Sequence, residues 1–342
     1  MNLLKEKYLN MREELPRASA VIIASRPPEQ DGTVASVGDE RQVLPALVRV
    51  GTISLIERLI IRLQTEGVAP IVVITGFKNA KLEKHLAKMN VVNLYNPYWR
   101  ETSIVDDAIK GLSYIERTCC DCEKIYLATP LIPSVHTTSL KRLLISKSTV
   151  TVPVFDGEDG LPIVISKDVV RNLTRSEKGR TLAELVAAAE GTVERVVLDD
   201  PGVIPLPLVS EAHKDEDLVS HPEDSMMLPL RVRFKLNLAR EKIFFGPGPA
   251  VLLRLIDETG SVRMACQRMK LSYSKGWQIL NLLEEQLGEN VIDRRPGGQE
   301  GGSSSLTDTG RELLRRFEQL SVETQQYVNE LFEKLFEGFF EE

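Results

Sequence analysis

The stretch LSYSKGWQILNLLEEQLG, Leu271 to Gly288, combines residue types whose spacing suits the reading of a polyanion. Ser272, Tyr273, Ser274 and Lys275 make a small, polar and cationic first turn, with Gln278 one turn further on the same outward face. Behind them Ile279, Leu280, Leu283 and Leu287 recur at helical spacing, so the buried face begins only after a polar start. Lys275 suits a phosphate or a guanine edge, and the Gln278 amide has the two-sided geometry that pairs with adenine. Ser272 is of the type that caps a helix. Trp277 falls on the turn-facing side near Leu280 and reads as core before contact, whereas Tyr273 is open between the two roles.

The elements that must position this turn lie on either side of it. AVLLRLIDETG (250–260) is a short helix ending at glycine. SVRMACQRMK (261–270) starts at a capping-type serine and puts Val262, Ala265, Cys266 and Met269 on one face. Two short helices joined by a tight connection make a helix-turn-helix, which seats its second helix in the DNA major groove. The same motif also serves as a protein-docking module. VIDRRPGGQEGGSSSLTD (291–308) is too rich in glycine for helix and reads as a hairpin with a flexible tip. Arg294 and Arg295 supply counter-charge there, and Gly297 and Gly298 allow close approach to a phosphate backbone. RVRFKLNLAR (231–240) alternates like a strand, and FGPGPA (245–250) reads as a turn. In the last helix Leu313, Phe317, Leu320, Thr324, Tyr327, Leu331 and Leu335 recur at three- and four-residue steps, a stripe that pairs with a second copy or packs on its own domain.

Residues 231–316 resemble the N-terminal DNA-binding domain of the molybdate-responsive regulators, a winged-helix family related to LysR-type regulators. The matching pieces are FGPGPAVLLRLIDETGSV, LSYSKGW, LLEEQLG and RRPGGQEGGSSSLTDTGRELL. The resemblance implies double-stranded DNA as partner and a homodimer built on the last helix. In that family molybdate-binding domains follow the wing. Here one helix follows it, so molybdate sensing does not carry over.

The first two hundred residues have another pattern. Strand-like segments VIIAS (21–25), PIVVITG (70–76), VVNLYN (91–96), KIYLATP (124–130), VTVPVF (150–155) and VERVVLD (193–199) are separated by helical patterns at 53–67, 103–117 and 181–191. Nearly continuous apolar strands divided by helices imply an α/β fold with a doubly wound, mostly parallel sheet, whose ligands bind beyond the carboxyl ends of the strands. The expected division is a leading helix over 1–17, the α/β domain over 18–210, a proline- and acid-rich linker over 211–229, the winged helix-turn-helix over 230–310 and a dimerisation helix over 311–342.

Residues 18–210 look like the nucleotidyltransferase domain of molybdenum-cofactor cytidylyltransferases and guanylyltransferases. The likeness rests on VLPALVRVGTISLIERLIIRLQTEGVAPIVVITG, VVNLYNPYWRETSIVDDAIKGL, TVPVFDGEDGLPIVIS and LDDPGV. The departures fall where the chemistry belongs. The family's glycine-rich triphosphate loop and its lysine are replaced by IIASRPPEQDGTVASVGDERQVLP, where two prolines remove amide donors and only Arg26 or Arg41 offers a cation. The aspartate of the family's GDxP step, a Mg²⁺ ligand, falls at Ala128 and Thr129. The histidine of its Gly-His-Pro step is Leu161, and the late metal-site aspartate is lost in VIPLPLV. Mg²⁺ needs carboxylate oxygens beside the phosphates. Asp106, Asp107, Asp156 and Asp159 are substitutes in principle, and they read as solvated surface acids. What the resemblance leaves is a candidate ligand site at Arg26, Arg41, Asn96 and Ser103, with no catalytic or metal-ligating residue assigned.

Composition bounds the rest. The chain of 342 residues is 42% hydrophobic with a net charge of −6, as expected of globular domains. No apolar run approaches the roughly 18 residues that span a bilayer, and the first residues are too charged for a signal peptide. A cytoplasmic protein is expected. From Arg231 to Glu318 there are 15 Lys/Arg against 11 Asp/Glu, a basic segment on an acidic chain. Cys119, Cys120 and Cys122 crowd together far from Cys266, which excludes a regular disulfide framework and reads as a loop before a soft-metal site. Two functions follow. One is a DNA-binding regulator whose enzyme-like domain senses a nucleotide, a pterin or a molybdenum-pathway compound. The other is a divergent nucleotidyltransferase, requiring Mg²⁺, that carries an autoregulatory DNA-binding domain.

Overall fold

The computed structural model describes residues 15–27, 44–119, 121–173, 181–206, 232, 234–295 and 303–336. The expected helix over residues 1–14, the linker over 211–229, Arg41, Gly297, Gly298 and the side chains of Arg294 and Arg295 lie outside the described residues; residues 15–17 are not helical. The chain divides into two compact units, Met1–Leu230 and Arg231–Glu342.

The N-terminal unit is built on strands β1 (Ala18–Ala24), β2 (Arg49–Val50), β3 (Ile53–Ser54), β4 (Ile71–Thr75), β5 (Val92–Tyr95), β6 (Lys124–Ala128), β7 (Val150–Phe155), β8 (Glu158–Asp159), β9 (Ile163–Ser166) and β10 (Val193–Val197). Between them run helices α1 (Leu55–Thr65), α2 (Asn79–Leu86), α3 (Ile104–Thr118), α4 (Thr137–Leu144), α5 (Lys167–Leu173) and α6 (Leu182–Ala187). The main sheet has the order β10-β7-β9-β6-β1-β4-β5, with β8 on β7. Its pairs are parallel except those of β9, which runs antiparallel between β6 and β7, and of the short β8. The expected mostly parallel α/β sheet is what forms. Strand β9 was not anticipated, because the hairpin leading to it is short and Pro162 precedes a run of only four residues.

Every residue of β1, β4 and β6 is buried, as a strand covered on both faces requires. The edge strand β10 differs: four of its five residues are exposed, and Arg195 makes a two-pronged ion pair with Asp159. Its valines are therefore an edge pattern rather than a core pattern. Helices α1, α3 and α6 open with reciprocal capping boxes, Ser54 with Glu57, Ser103 with Asp106 and Thr181 with Glu184. Gly111 lets α3 lie close on β1, since a Cβ there would stand 2.4 Å from Val21 Cγ1. That approach fixes the first turn of α3 against the carboxyl end of β1.

The C-terminal unit contains β11 (Leu238–Ala239), β12 (Ile243–Phe245), α7 (Pro247–Thr259), α8 (Val262–Arg268), α9 (Tyr273–Leu287), β13 (Ile292–Arg295), β14 (Ser303–Leu306) and α10 (Asp308–Phe336). Two expectations shift here. Among the described residues of the alternating 231–240 segment, 238–239 pair as a strand; Leu236 and Leu238 pack on the core, so the alternation records burial more than a ladder. FGPGPA is mostly the start of α7, with Pro247 in the first turn where its missing N–H costs nothing. The hairpin forms as β13 and β14, and the Ser304 N–H donates to the Gly260 carbonyl at the end of α7 (2.8 Å). Phe245 meets Phe317 edge to face at 4.9 Å, which anchors the start of α10 in the core.

The helix-turn-helix is set by one close contact. A Cβ at Gly276, in the second turn of α9, would lie 2.2 Å from Cys266 Sγ of α8. We expect Gly276→Ala to lower stability by about 1–3 kcal/mol through overpacking, and a Cys266→Ala change in the same chain to restore most of it. Urea unfolding midpoints check this; an unchanged midpoint for Gly276→Ala would mean that the two helices part freely.

Candidate functional sites

The first site is the start of α9. Ser272 is its N-cap, with Oγ accepting from the Lys275 N–H (3.2 Å) and lying 3.1 Å from Ser274 Oγ. Lys270, in the left-handed region at φ 54°, turns the chain out of α8, and the Leu271 N–H donates to the Cys266 carbonyl (2.9 Å). The turn is thereby rigid, and the side chains it launches face outward. Ser272, Tyr273, Ser274, Lys275 and Gln278 are all exposed, while Gly276, Leu280 and Leu283 are buried. Lys275 Nζ reaches Gln278 Oε1 at 3.5 Å, so cation and amide share one face. Trp277 is half-buried against the core and meets the Tyr273 ring edge to face at 5.9 Å. Tyr273 itself is 49% exposed.

Arg263, which sequence reasoning did not single out, belongs to this surface. Its guanidinium lies 5.9 Å from the Tyr273 ring centre, on the exposed face of α8. The signal was present, because assigning Val262, Ala265, Cys266 and Met269 to the buried side places Arg263 opposite them. Arg294 and Arg295 lie on β13, in register with Ser304 and Ser303.

The second site is the carboxyl end of β1 in the N-terminal unit. The chain leaves β1 at Ser25 and Arg26, beside Gly76 at the end of β4, where a Cβ would stand 2.5 Å from the Ser25 carbonyl. Asp107, in the first turn of α3, is fully buried here. Its Oδ2 accepts from Ser25 Oγ (2.5 Å) and from Arg26 (3.2 Å), and its Oδ1 accepts from the Asn96 amide (2.6 Å). The expectation of a solvated surface acid is therefore corrected for Asp107. It shares the helix face of Gly111, four residues on, which touches β1, and that spacing already placed it inward. Asp156 and Asp159 are exposed as expected, and Asp106 is half-buried as the cap partner of Ser103.

Of the four candidate ligand residues, Arg26, Asn96 and Ser103 come together around Asp107, and Arg41 lies outside the described residues. Their polar atoms are largely engaged. Arg26 donates to the carbonyls of Trp99 (2.5 Å) and Thr102 (2.6 Å) as well as to Asp107. Asn96 donates also to Thr102 Oγ1 (2.8 Å) and accepts from the Tyr98 N–H (2.9 Å). Ser103 donates through Oγ to Asp106 (2.8 Å). Around them Phe77 and Trp99 pack at 5.5 Å, Arg100 covers the Trp99 ring, and Tyr98 is 62% exposed.

This donor set does not fit Mg²⁺. Both Asp107 oxygens face protein donors, Ala128 and Thr129 end β6 without a carboxylate, and Thr129 Oγ1 is buried with no hydrogen-bond partner among the described residues. Among the described residues no three His, Cys, Asp or Glu side chains are grouped to hold a metal ion.

No protein-family model matches the chain. Among curated proteins it is similar to the molybdenum transport protein ModE of Azotobacter vinelandii, 33% identical over 84 residues, which is 25% of this chain and 31% of that one. It is likewise 30% identical over 83 residues to the DNA-binding transcriptional dual regulator ModE of Escherichia coli K12, 24% of this chain and 31% of the relative. The chain thus spans about a third of the length of these relatives. Among solved structures, a nucleotidyl transferase from Methanothermobacter thermautotroptrophicus aligns over 56% of this chain and 92% of its own, at 18% identity and a TM-score of 0.45. No helix among the described residues is long and apolar enough to cross a membrane.

The buried carboxylate should matter more than its neighbour. Asp107→Ala removes the partner of Ser25, Arg26 and Asn96 together and is expected to cost about 3–5 kcal/mol. Asp106→Ala removes one cap interaction and is expected to cost about 1 kcal/mol. Chemical unfolding of the two variants checks the difference; equal losses would show that the polar knot at the end of β1 carries no stability of its own.

Proposed function

We propose that this protein is a DNA-binding transcription regulator. Its C-terminal winged helix-turn-helix reads double-stranded DNA, and its nucleotidyltransferase-like N-terminal unit binds a small molecule instead of transferring a nucleotide. The observation that carries the reading is the polar start of α9: Ser272, Tyr273, Ser274 and Lys275, with Gln278 one turn on, stand exposed where they can meet phosphates or base edges, held by a cap and a tight turn. The likeness of about a quarter of the chain to ModE regulators supports it and suggests a link to molybdenum metabolism. The poor fit of the strand-end residues to Mg²⁺ supports binding over transfer. The effector is proposed to be a nucleotide, a pterin or a molybdenum-pathway compound.

The protein is proposed to act as a homodimer through the far half of α10. Along its stripe Leu313 and Phe317 pack into the winged-helix core, whereas Leu320, Tyr327, Leu331 and Leu335 are exposed. An apolar stripe that leaves its own core and continues into solvent is what a second copy of the same helix would cover. An effector shifts DNA affinity only as far as it favours one dimer arrangement over another.

On DNA, Lys275→Ala is expected to weaken binding on every sequence and lower the salt slope by about one unit. Gln278→Ala is expected to cost about 1–3 kcal/mol on the preferred site alone. Leu331→Glu should convert dimer to monomer in sedimentation and weaken DNA binding with it. If Lys275→Ala left affinity and salt dependence unchanged, α9 would not be the reading helix. Calorimetric titration of the full-length protein with CTP, GTP and molybdate, with and without Mg²⁺, tests the N-terminal unit. Metal-independent heat from one ligand is expected; heat only with Mg²⁺ would return the enzyme reading.

A further inference from the structure

The loops after β4 and β5 carry cations and rings whose side chains take no part in the polar knot around Asp107. From Lys78 to Arg100 the chain has five Lys/Arg against one Asp/Glu, in a unit that carries 27 against 32. The one acid, Glu83, is engaged at the end of β4, where its Oε1 accepts from Thr75 Oγ1 (2.9 Å). Lys81 and Lys84 share one face of α2 at a three-residue step, and both are exposed, as is Arg100. A local excess of positive charge on a negatively charged unit gathers an anionic partner.

Aromatic rings are interleaved with these cations. Lys78 Nζ stands 5.1 Å from the centre of the Phe77 ring, Phe77 packs on Trp99 at 5.5 Å, and the Arg100 guanidinium lies 4.7 Å from the centre of the Trp99 ring. Two loops thus supply a cation, two rings and a second cation in one contiguous stack. Gly76 permits the approach, since a Cβ there would stand 2.8 Å from Trp99 Cβ. Beside the stack Tyr98 leaves its ring 62% exposed. Its backbone is fixed, because its N–H donates to Asn96 Oδ1 (2.9 Å) and its carbonyl accepts from Thr102 Oγ1 (2.9 Å). A flat apolar face is therefore held in solvent next to a row of positive charge.

Ring and cations together select the form of the partner. A duplex offers phosphates to the lysines, but its bases are stacked and present only their edges to a protein. A mononucleotide offers one ring face and leaves the row of cations without successive phosphates. An unpaired strand supplies both a base for the ring and phosphates for the cations. We propose that the loops after β4 and β5, with the start of α2, form a contact surface for a single strand of DNA. A base stacks on Tyr98, and the flanking phosphates meet Arg100, Lys81 and Lys84. The surface is separate from α9 and from any small molecule held at the end of β1, so it stands or falls without either.

The protein has two tryptophans, Trp99 and Trp277, so Trp277→Phe leaves Trp99 as a reporter inside the surface. A thymidylate oligomer of about twelve nucleotides, added to that full-length variant, should quench Trp99 fluorescence. Thymidine monophosphate at the same nucleotide concentration should not. Anisotropy of the labelled oligomer needs no change at Trp277. By that measure Tyr98→Ala should weaken binding about tenfold. Lys81→Ala combined with Lys84→Ala should lower the salt slope by about 1.4 units, at roughly 0.7 per phosphate contact. Both changes should leave duplex binding as it was, and a uridylate oligomer should bind as tightly as the thymidylate one, since ring and cations leave the 2′-hydroxyl unread. Unchanged oligomer affinity in the tyrosine and lysine variants would overturn the proposal, whatever Trp99 reports. Equal quenching by the monophosphate would make this a nucleotide site instead. An equal loss of duplex affinity would make it a general polyanion surface, and uridylate bound about tenfold tighter would make RNA the occupant.

Discussion

A single buried carboxylate organises the carboxyl end of β1 in the N-terminal sheet. A carboxylate with no solvent contact survives only if each oxygen is matched, and Asp107 ties its own segment to two others. Ser25 and Arg26 come from the end of β1, Asn96 from the end of β5, and Asp107 itself from the first turn of α3. Losing one partner would leave a charge stranded, so the three segments are obliged to stay together. The same requirement explains Gly76, which leaves room for the Ser25 carbonyl, and Gly111, which brings α3 down onto β1. Arg26 is held there as a structural cation. Its guanidinium donates to two carbonyls and to the carboxylate, while its buried Nε has no hydrogen-bond partner among the described residues.

The C-terminal unit shows the opposite allocation of polarity. Its core is closed by Phe245 on Phe317 and by the contact of Gly276 with Cys266, so the polar groups at the start of α9 are left facing solvent. Ser272 satisfies the free N–H of Lys275, and the remaining side chains need no internal partner. One unit has turned its polar residues inward and the other outward.

Much of this was legible in the sequence, and the exceptions share a cause. The parallel strands β1, β4 and β6 announce themselves by unbroken apolar runs, and the caps at Ser261 and Ser272 by residue type; Ser103, expected as a ligand residue, is a cap as well. The helix-turn-helix was readable because its two buried faces have clear helical spacing. What failed depended on partners distant in sequence. Alternation over 231–240 reports a half-buried face, yet a strand needs a ladder, and among the described residues 238–239 find one. Strand β9 is four residues long, and its existence depends on the gap between β6 and β7. The charge of Asp107 suggests a surface acid, whereas its position four residues before Gly111 fixes the direction of its side chain. The spacing of α8 turns Arg263 outward, but its contact with Tyr273, ten residues away on another helix, is not carried by that spacing.

The length of α10 has a consequence of its own. Phe317 is the last residue buried in the winged-helix core among the described residues, and Leu335 lies 18 residues further along the same helix. At about 1.5 Å per residue that is a rigid arm of ~27 Å. A partner that grips the far end is held at a fixed distance and also at a fixed angular phase, because each residue turns the helix by about 100°. DNA has a phase as well, since its grooves return every ~34 Å. In the proposed dimer on DNA, inserting one residue into the arm would hardly change the reach, but it would rotate the second reading head away from its groove. In that assembly the arm would act as a torsional gauge, matching helical register on the protein to helical register on the duplex.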